Sequence, residues 1–110
     1  MKDEVLYLGH IRDAIDKIDG YIAQIGYQEF ASNDMAVDAV VRELEIIGEA
    51  CNNLSPDFRR TNDEIPFRDI IDMRNVLIHQ YAGVNTKVVW DTCKNDLPLL
   101  RDFVEKSLNE

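Results

Sequence analysis

The chain predicts an all-α fold: an up-and-down bundle of four main helices plus a short one. Apolar residues recur at 3-4 spacing over four long segments, the periodicity of a helix with one buried face. Proline, glycine and capping residues stand between those segments. No strand-like alternation or hairpin turn interrupts the pattern. At 110 residues, 45% of them hydrophobic, the chain has enough apolar matter for one core, and residues 1–110 read as a single domain.

The first helix is expected from about Asp3 to Ile25. Leu8, Ile11, Ile15, Ile18, Ile22 and Ile25 form its stripe, Gly20 weakens it locally, and Gly26 is its stop. His10 falls off the stripe and reads as an exposed polar residue. Y-Q-E-F-A-S-N-D reads as a connection, in which Ser32 or Asn33 can cap the next helix and Asp34 suits its positive end. The second helix then runs to about Leu54, with Val37, Val40, Leu44, Ile47, Cys51 and Leu54 inward. Ser55-Pro56 starts a short helical piece, with Ser as cap and Pro at the first helical position. T-N-D-E-I-P-F is a loop, and Pro66 opens the third long helix. Phe67, Ile70, Ile71, Met73, Leu77 and Ile78 give that helix a broad apolar face. It is expected to end near Tyr81, before Ala82-Gly83. Asn85 or Thr86 caps the last helix, from about Lys87 to Leu108. Val89, Cys93, Leu97, Leu100 and Val104 face inward, Trp90 reads as core, and Pro98 should kink the helix by removing one hydrogen bond.

Composition narrows function. No apolar run approaches the roughly 20 residues that cross a bilayer. The start, M-K-D-E-V-L-Y-L-G-H, lacks the apolar region of a signal peptide, so a cytoplasmic protein with no membrane partner is expected. Cys51 and Cys93 are isolated and read as buried thiols, since two cysteines cannot complete a structural zinc site. Glu45 and Glu49 stand at i, i+4, but a di-iron bundle needs Glu-x-x-His pairs on further helices, and none is present. Neither metal nor cofactor is expected. A net charge of −9 argues against a general nucleic-acid coat protein, whose binding rests on neutralising phosphates. It allows a basic partner. A nuclease would need its positive potential to be local, around Arg74 and among Arg59, Arg60, Arg68 and Lys87.

The chemistry concentrates in R-N-V-L-I-H-Q-Y, Arg74 to Tyr81. Arg is a fixed cation suited to phosphate, and His titrates near neutrality. Cleavage of a phosphodiester by its own 2′-hydroxyl needs a base and an acid. His79 would serve as one of them, Arg74 would stabilise the charge on the phosphorane oxygens, and Asn75 would hold the imidazole or a phosphate oxygen. Five residues on a straight helix amount to roughly 140° of rotation and about 7.5 Å of rise, so Arg74 and His79 diverge. Either the helix loosens after Leu77 or the Arg74 side chain swings round. One protomer also offers one histidine here, so a two-fold dimer with the motif at its interface would supply the missing groups. The structural alternatives are an Arg74 salt bridge with Asp69, Asp72 or a second-helix glutamate, a His79 that complements the helix dipole, and a capping or core Tyr81.

Arg74-Asn75-x3-His79-x-Tyr81 resembles the signature of the HepT-like family of the HEPN superfamily. Ile65-Pro66-Phe67 before the motif, and Val89-Trp90 followed by Asp96-Leu97-Pro98 after it, are similar to that family as well. The resemblance implies a helical bundle that forms a homodimer or higher oligomer. Its Arg-x4-His motifs would meet in an interface cleft that acts on RNA as a metal-independent endoribonuclease. It further implies a toxin of a type VII-like toxin-antitoxin pair, encoded beside a small MntA-like nucleotidyltransferase antitoxin that transfers AMP to the motif tyrosine, here Tyr81. The alternative is a non-catalytic helical partner of such a nucleotidyltransferase that binds its nucleotide or substrate.

Overall fold

The computed structural model describes residues 2–79 and 85–109; for Lys2, Arg74, Asn75, Val76, Ile78 and His79 the description covers the backbone alone. The described residues form helices α1 (Lys2–Ile22), α2 (Tyr27–Ala31), α3 (Asp34–Asn53), α4 (Pro56–Thr61), α5 (Phe67–His79), α6 (Thr86–Asp91) and α7 (Leu97–Leu108). A π turn, Thr92–Asp96, joins the last two. The fold is an all-α bundle of four main helices, the fourth being α6, the π turn and α7 taken together. There are no strands among the described residues.

The boundaries follow local chemistry. Asn33, one of the two expected caps, accepts from the Ala36 amide at 3.1 Å and opens α3. Ser55 accepts from the Phe58 amide at 3.1 Å and opens α4, with Pro56 at its first position. Each bond satisfies an amide that the helix cannot pair internally. Pro66 precedes α5, and its carbonyl accepts from Ile70. Asn85, again one of two candidates, accepts from the Lys87 and Val88 amides and opens α6 one residue before the expected start. A tertiary cap supplements these local ones: buried Glu4 of α1 accepts from the Ser55 amide at 2.9 Å.

Three expectations need correction. The first helix ends at Ile22, two residues after Gly20, rather than at Ile25. The segment read as a connection contains a second short helix, α2, whose Phe30 is fully buried. The last helix is interrupted by the π turn, in which the Leu97 amide reaches back five residues to Thr92. Pro98 follows, with no amide to donate and a ring that crowds the carbonyl four residues back. A wide turn just before Pro98 suits a residue that cannot extend the α-helical hydrogen-bond ladder. The spacing points the same way. Val89, Cys93 and Leu97 step by four residues twice, an overshoot of roughly 80° on a regular helix, which a wide turn absorbs.

The expected stripes are the core. Leu8, Ile11, Ile15, Ile18 and Ile22 meet Val40, Leu44, Ile47, Cys51 and Leu54, and the layer is closed by Val89, Leu97, Leu100 and Val104. Ile25, Ile71, Met73 and Trp90 are half-buried at its edge, while Ile78 lies outside the described side chains. Helix α3 is central, packed between α1 and α5, and α1 also packs on α7. Phe103 of α7 links the remaining pieces, edge-on to Phe58 of α4 and Phe67 of α5 at 5.9 Å between ring centres in both cases. On the opposite side Arg101 of α7 binds Asp16 at 2.7 Å and Asp19 at 2.6 Å on α1. No helix among the described residues is long and apolar enough to cross a membrane.

Candidate active site

Helix α5 carries three of the four motif residues. Its N-terminal half is fixed by Phe67 and Ile70, and its C-terminal half by Leu77, all buried. The backbone stays α-helical from Phe67 through His79, so the helix does not loosen between Leu77 and His79. Regular geometry then places Asn75 and His79 on one face, one turn apart, and Arg74 roughly 140° around from His79. The Arg74, Asn75 and His79 side chains, with any ion pair of Arg74, lie outside the described atoms, and Tyr81 lies outside the described residues.

The basic residues expected to make the positive potential local are only partly brought together. Helix α4 and the start of α5 place Arg59, Arg60 and Arg68 around one open groove of about 620 Å³, beside Asn52 of α3. Asp63, Asp69 and Asp72 line the same groove and offset the three cations. Arg60 is further held by Asp57. Arg59 is the unusual member. Its Nε is buried without a hydrogen-bond partner, and its charge acts on the Cys51 thiol. Lys87 is elsewhere, on α6, paired with Asp91 at 3.1 Å and 5.2 Å from the Tyr27 ring centre.

Two features escaped sequence reasoning. Asp96, at the end of the π turn, has its carboxyl pushed up by burial and then by the charge of Asp69 on α5, a coupling across elements with no local signal. The Tyr27 hydroxyl and Thr86 Oγ1 are hydrogen-bonded at 2.9 Å, which ties α2 to the first residue of α6. The buried aromatic in Y-Q-E-F-A was the available hint of α2. Burial raises the Cys51 and Cys93 thiols to about 12, against weaker opposing pulls from Arg59 and Lys94 respectively, so neither offers a thiolate near neutrality. His10 is exposed, as expected, edge-on to Tyr7 at 6.0 Å between ring centres. The described residues contain no group of three or more His, Cys, Asp or Glu placed to hold a metal ion.

Comparison with known proteins adds an independent line. Residues 11–107 match the family described as Ribonuclease HepT-like. A Thermococcus cleftensis chain named Probable ribonuclease HepT is 43% identical over 100 residues, which cover 91% of each chain. A Caldanaerobacter subterraneus subsp. tengcongensis chain, provisionally named an RNase, is 36% identical over 110 residues, covering 100% of this chain and 98% of its own. A Methanocaldococcus jannaschii chain, also provisionally named an RNase, is 37% identical over 109 residues, covering 99% and 90%. No solved structure matches.

Proposed function

The chain belongs to the HepT-like ribonuclease family of the HEPN superfamily, and from that premise we propose that it is a metal-independent endoribonuclease. The observation that carries the reading is the order Arg74-Asn75-x3-His79-x-Tyr81 at the end of a helix that stays regular through His79. Residues 1–110 act as one domain. His79 works as general base or acid, Arg74 stabilises the charge on the phosphorane oxygens, and Asn75 orients the imidazole or a phosphate oxygen. The 2′-hydroxyl is the nucleophile, so RNA is cut and DNA is spared.

Regular helix geometry supports a composite site. With Arg74 and His79 roughly 140° apart around the α5 backbone of one protomer, a homodimer with two α5 ends in one cleft brings an arginine of one copy towards the histidine of the other. Tyr81, two residues beyond His79, is the acceptor of AMP from an MntA-like nucleotidyltransferase antitoxin. Each AMP adds a negative phosphate and bulk beside the two catalytic groups, which repels RNA. The chain is then the toxin of a toxin-antitoxin pair, working in the cytoplasm. The net charge of −9 favours the second reading, a helical partner that binds the nucleotidyltransferase's nucleotide or substrate without cutting anything.

The test is cleavage of a mixed RNA pool without metal. Wild type should leave 2′,3′-cyclic phosphate ends, and His79→Ala, still helical, should lose activity by at least about 100-fold, the lower range for a lost acid-base group. Equal cleavage by both proteins removes His79 from the mechanism. No cleavage by a well-folded wild type moves the reading to the binding partner. In parallel, a cognate nucleotidyltransferase with ATP should add AMP-sized mass to wild type and none to Tyr81→Phe. An unchanged wild-type mass, with the transferase demonstrably active, rules out the modification.

A further inference from the structure

We infer that Trp90, Lys94, Tyr27 and Lys87 form a subsite for single-stranded RNA, a deepening that rests on the ribonuclease reading above. Lys87, Trp90, Asp91 and Lys94 stand at i, i+3, i+4 and i+7, one face of the α6 and π-turn segment. Lys94 Nζ lies 4.7 Å from the Trp90 ring centre, within cation-π range. Lys87 Nζ lies 5.2 Å from the Tyr27 ring centre. Tyr27 meets Trp90 edge-on at 6.0 Å, and buried Phe30 backs the indole at 5.2 Å. Both outer rings are half-buried, so each keeps an accessible part on a rigid backing.

The charges favour this face over Arg101 and over the groove of Arg59, Arg60 and Arg68. Arg101 is engaged by Asp16 and Asp19, Arg60 by Asp57, and the groove of Arg59 and Arg68 carries three aspartates. On the α6 face two lysines stand against one aspartate, Asp91, which takes Lys87. Among the described residues Lys94 has no carboxylate within ion-pair distance; its neighbour is the indole. Aromatic platforms flanked by cations are how proteins hold single strands without reading sequence. A base takes the ring face, and the ammonium moves from the ring to a phosphate. Location fits as well. Seven residue steps lead from His79 to Thr86, a reach of at most roughly 25 Å even when extended, so one oligonucleotide can touch both the motif and this face.

Trp90 is the single tryptophan of the chain, so its fluorescence reports this face alone. The experiment titrates the intact protein with a single-stranded 2′-O-methyl oligonucleotide of about ten residues, within the usual site size, which cannot be cleaved by the 2′-hydroxyl route. Binding should quench Trp90. Lys94→Gln should weaken binding several-fold at low salt and flatten the slope of log affinity against log salt by about 0.7, one phosphate contact on a single strand. Lys94→Arg should restore the slope. Binding seen by anisotropy of a labelled oligonucleotide, with Trp90 silent and Lys94→Gln unchanged, overturns the subsite, as does the absence of any binding at low salt. Cleavage of unmodified RNA is assayed beside it. Cleavage with a silent tryptophan sinks the subsite only. A Trp90 response without cleavage sinks the ribonuclease reading and leaves the subsite standing.

Discussion

Burial, aided by the charge of Asp69, raises the Asp96 carboxyl above its ordinary value of 3.8. The folded state therefore binds this proton more tightly than the unfolded chain does. Stability from this residue is present at low pH and is lost as pH rises through the window above 3.8. Asp96→Asn removes the ionisation and keeps the shape. Its melting temperature at pH 7 should exceed that of wild type, and the gap should close below pH 4, as thermal scans across pH would show. A gap that persists or widens in acid would refute the assignment. Asp96 is only half-buried and solvent screens part of its charge, so the effect should be small. No periodicity in the sequence marks this pair; the charge of Asp69 acts on Asp96 between elements that lie far apart in the sequence.

At the scale of elements, the Glu4 cap joins the start of α1 to the start of α4. Glu4→Ala leaves the half-buried Ser55 amide without its acceptor and should cost about 1–3 kcal/mol in denaturant unfolding. Glu4→Gln keeps an acceptor oxygen and should recover most of that. If Ala and Gln behave alike, the bond contributes nothing. The long helices were legible because their stripes are strong, and the helix starts were legible because short polar side chains stand there: Asn33, Ser55 and Asn85 cap α3, α4 and α6. Helix α2 was not legible. Five residues give no periodicity, and Gly26 and Ser32 read as the stop of the first helix and a cap of the next. Pro98 announced a disturbance, but its form as a wide turn depended on the 4-4 spacing of Val89, Cys93 and Leu97. In the candidate site, the order of residues carried the reading. The composite arrangement had to be argued from helix geometry, since one helix period says nothing about a second copy of the chain.

At the scale of the molecule, α5 rests chiefly on α3 and meets α7 through Phe67 and Phe103, so the motif sits on a flank of the bundle rather than in its centre. A flank suits a site shared between copies. If the cleft takes Arg74 from one protomer and His79 from its partner, Arg74→Ala and His79→Ala proteins, each inactive alone, should regain RNA cleavage when mixed and allowed to exchange. Mixtures as inactive as the parents, with exchange verified, would place both groups in a single protomer. The π turn of Thr92–Asp96 bears on the same shape. It inserts a step between two helical pieces, so α6 and α7 keep separate rotational phases. Deleting one residue there would merge them into one screw. The surface that carries Lys87 and Trp90 would then be rotated by about 100° relative to Leu100 and Val104, as one part of a camshaft is turned against another.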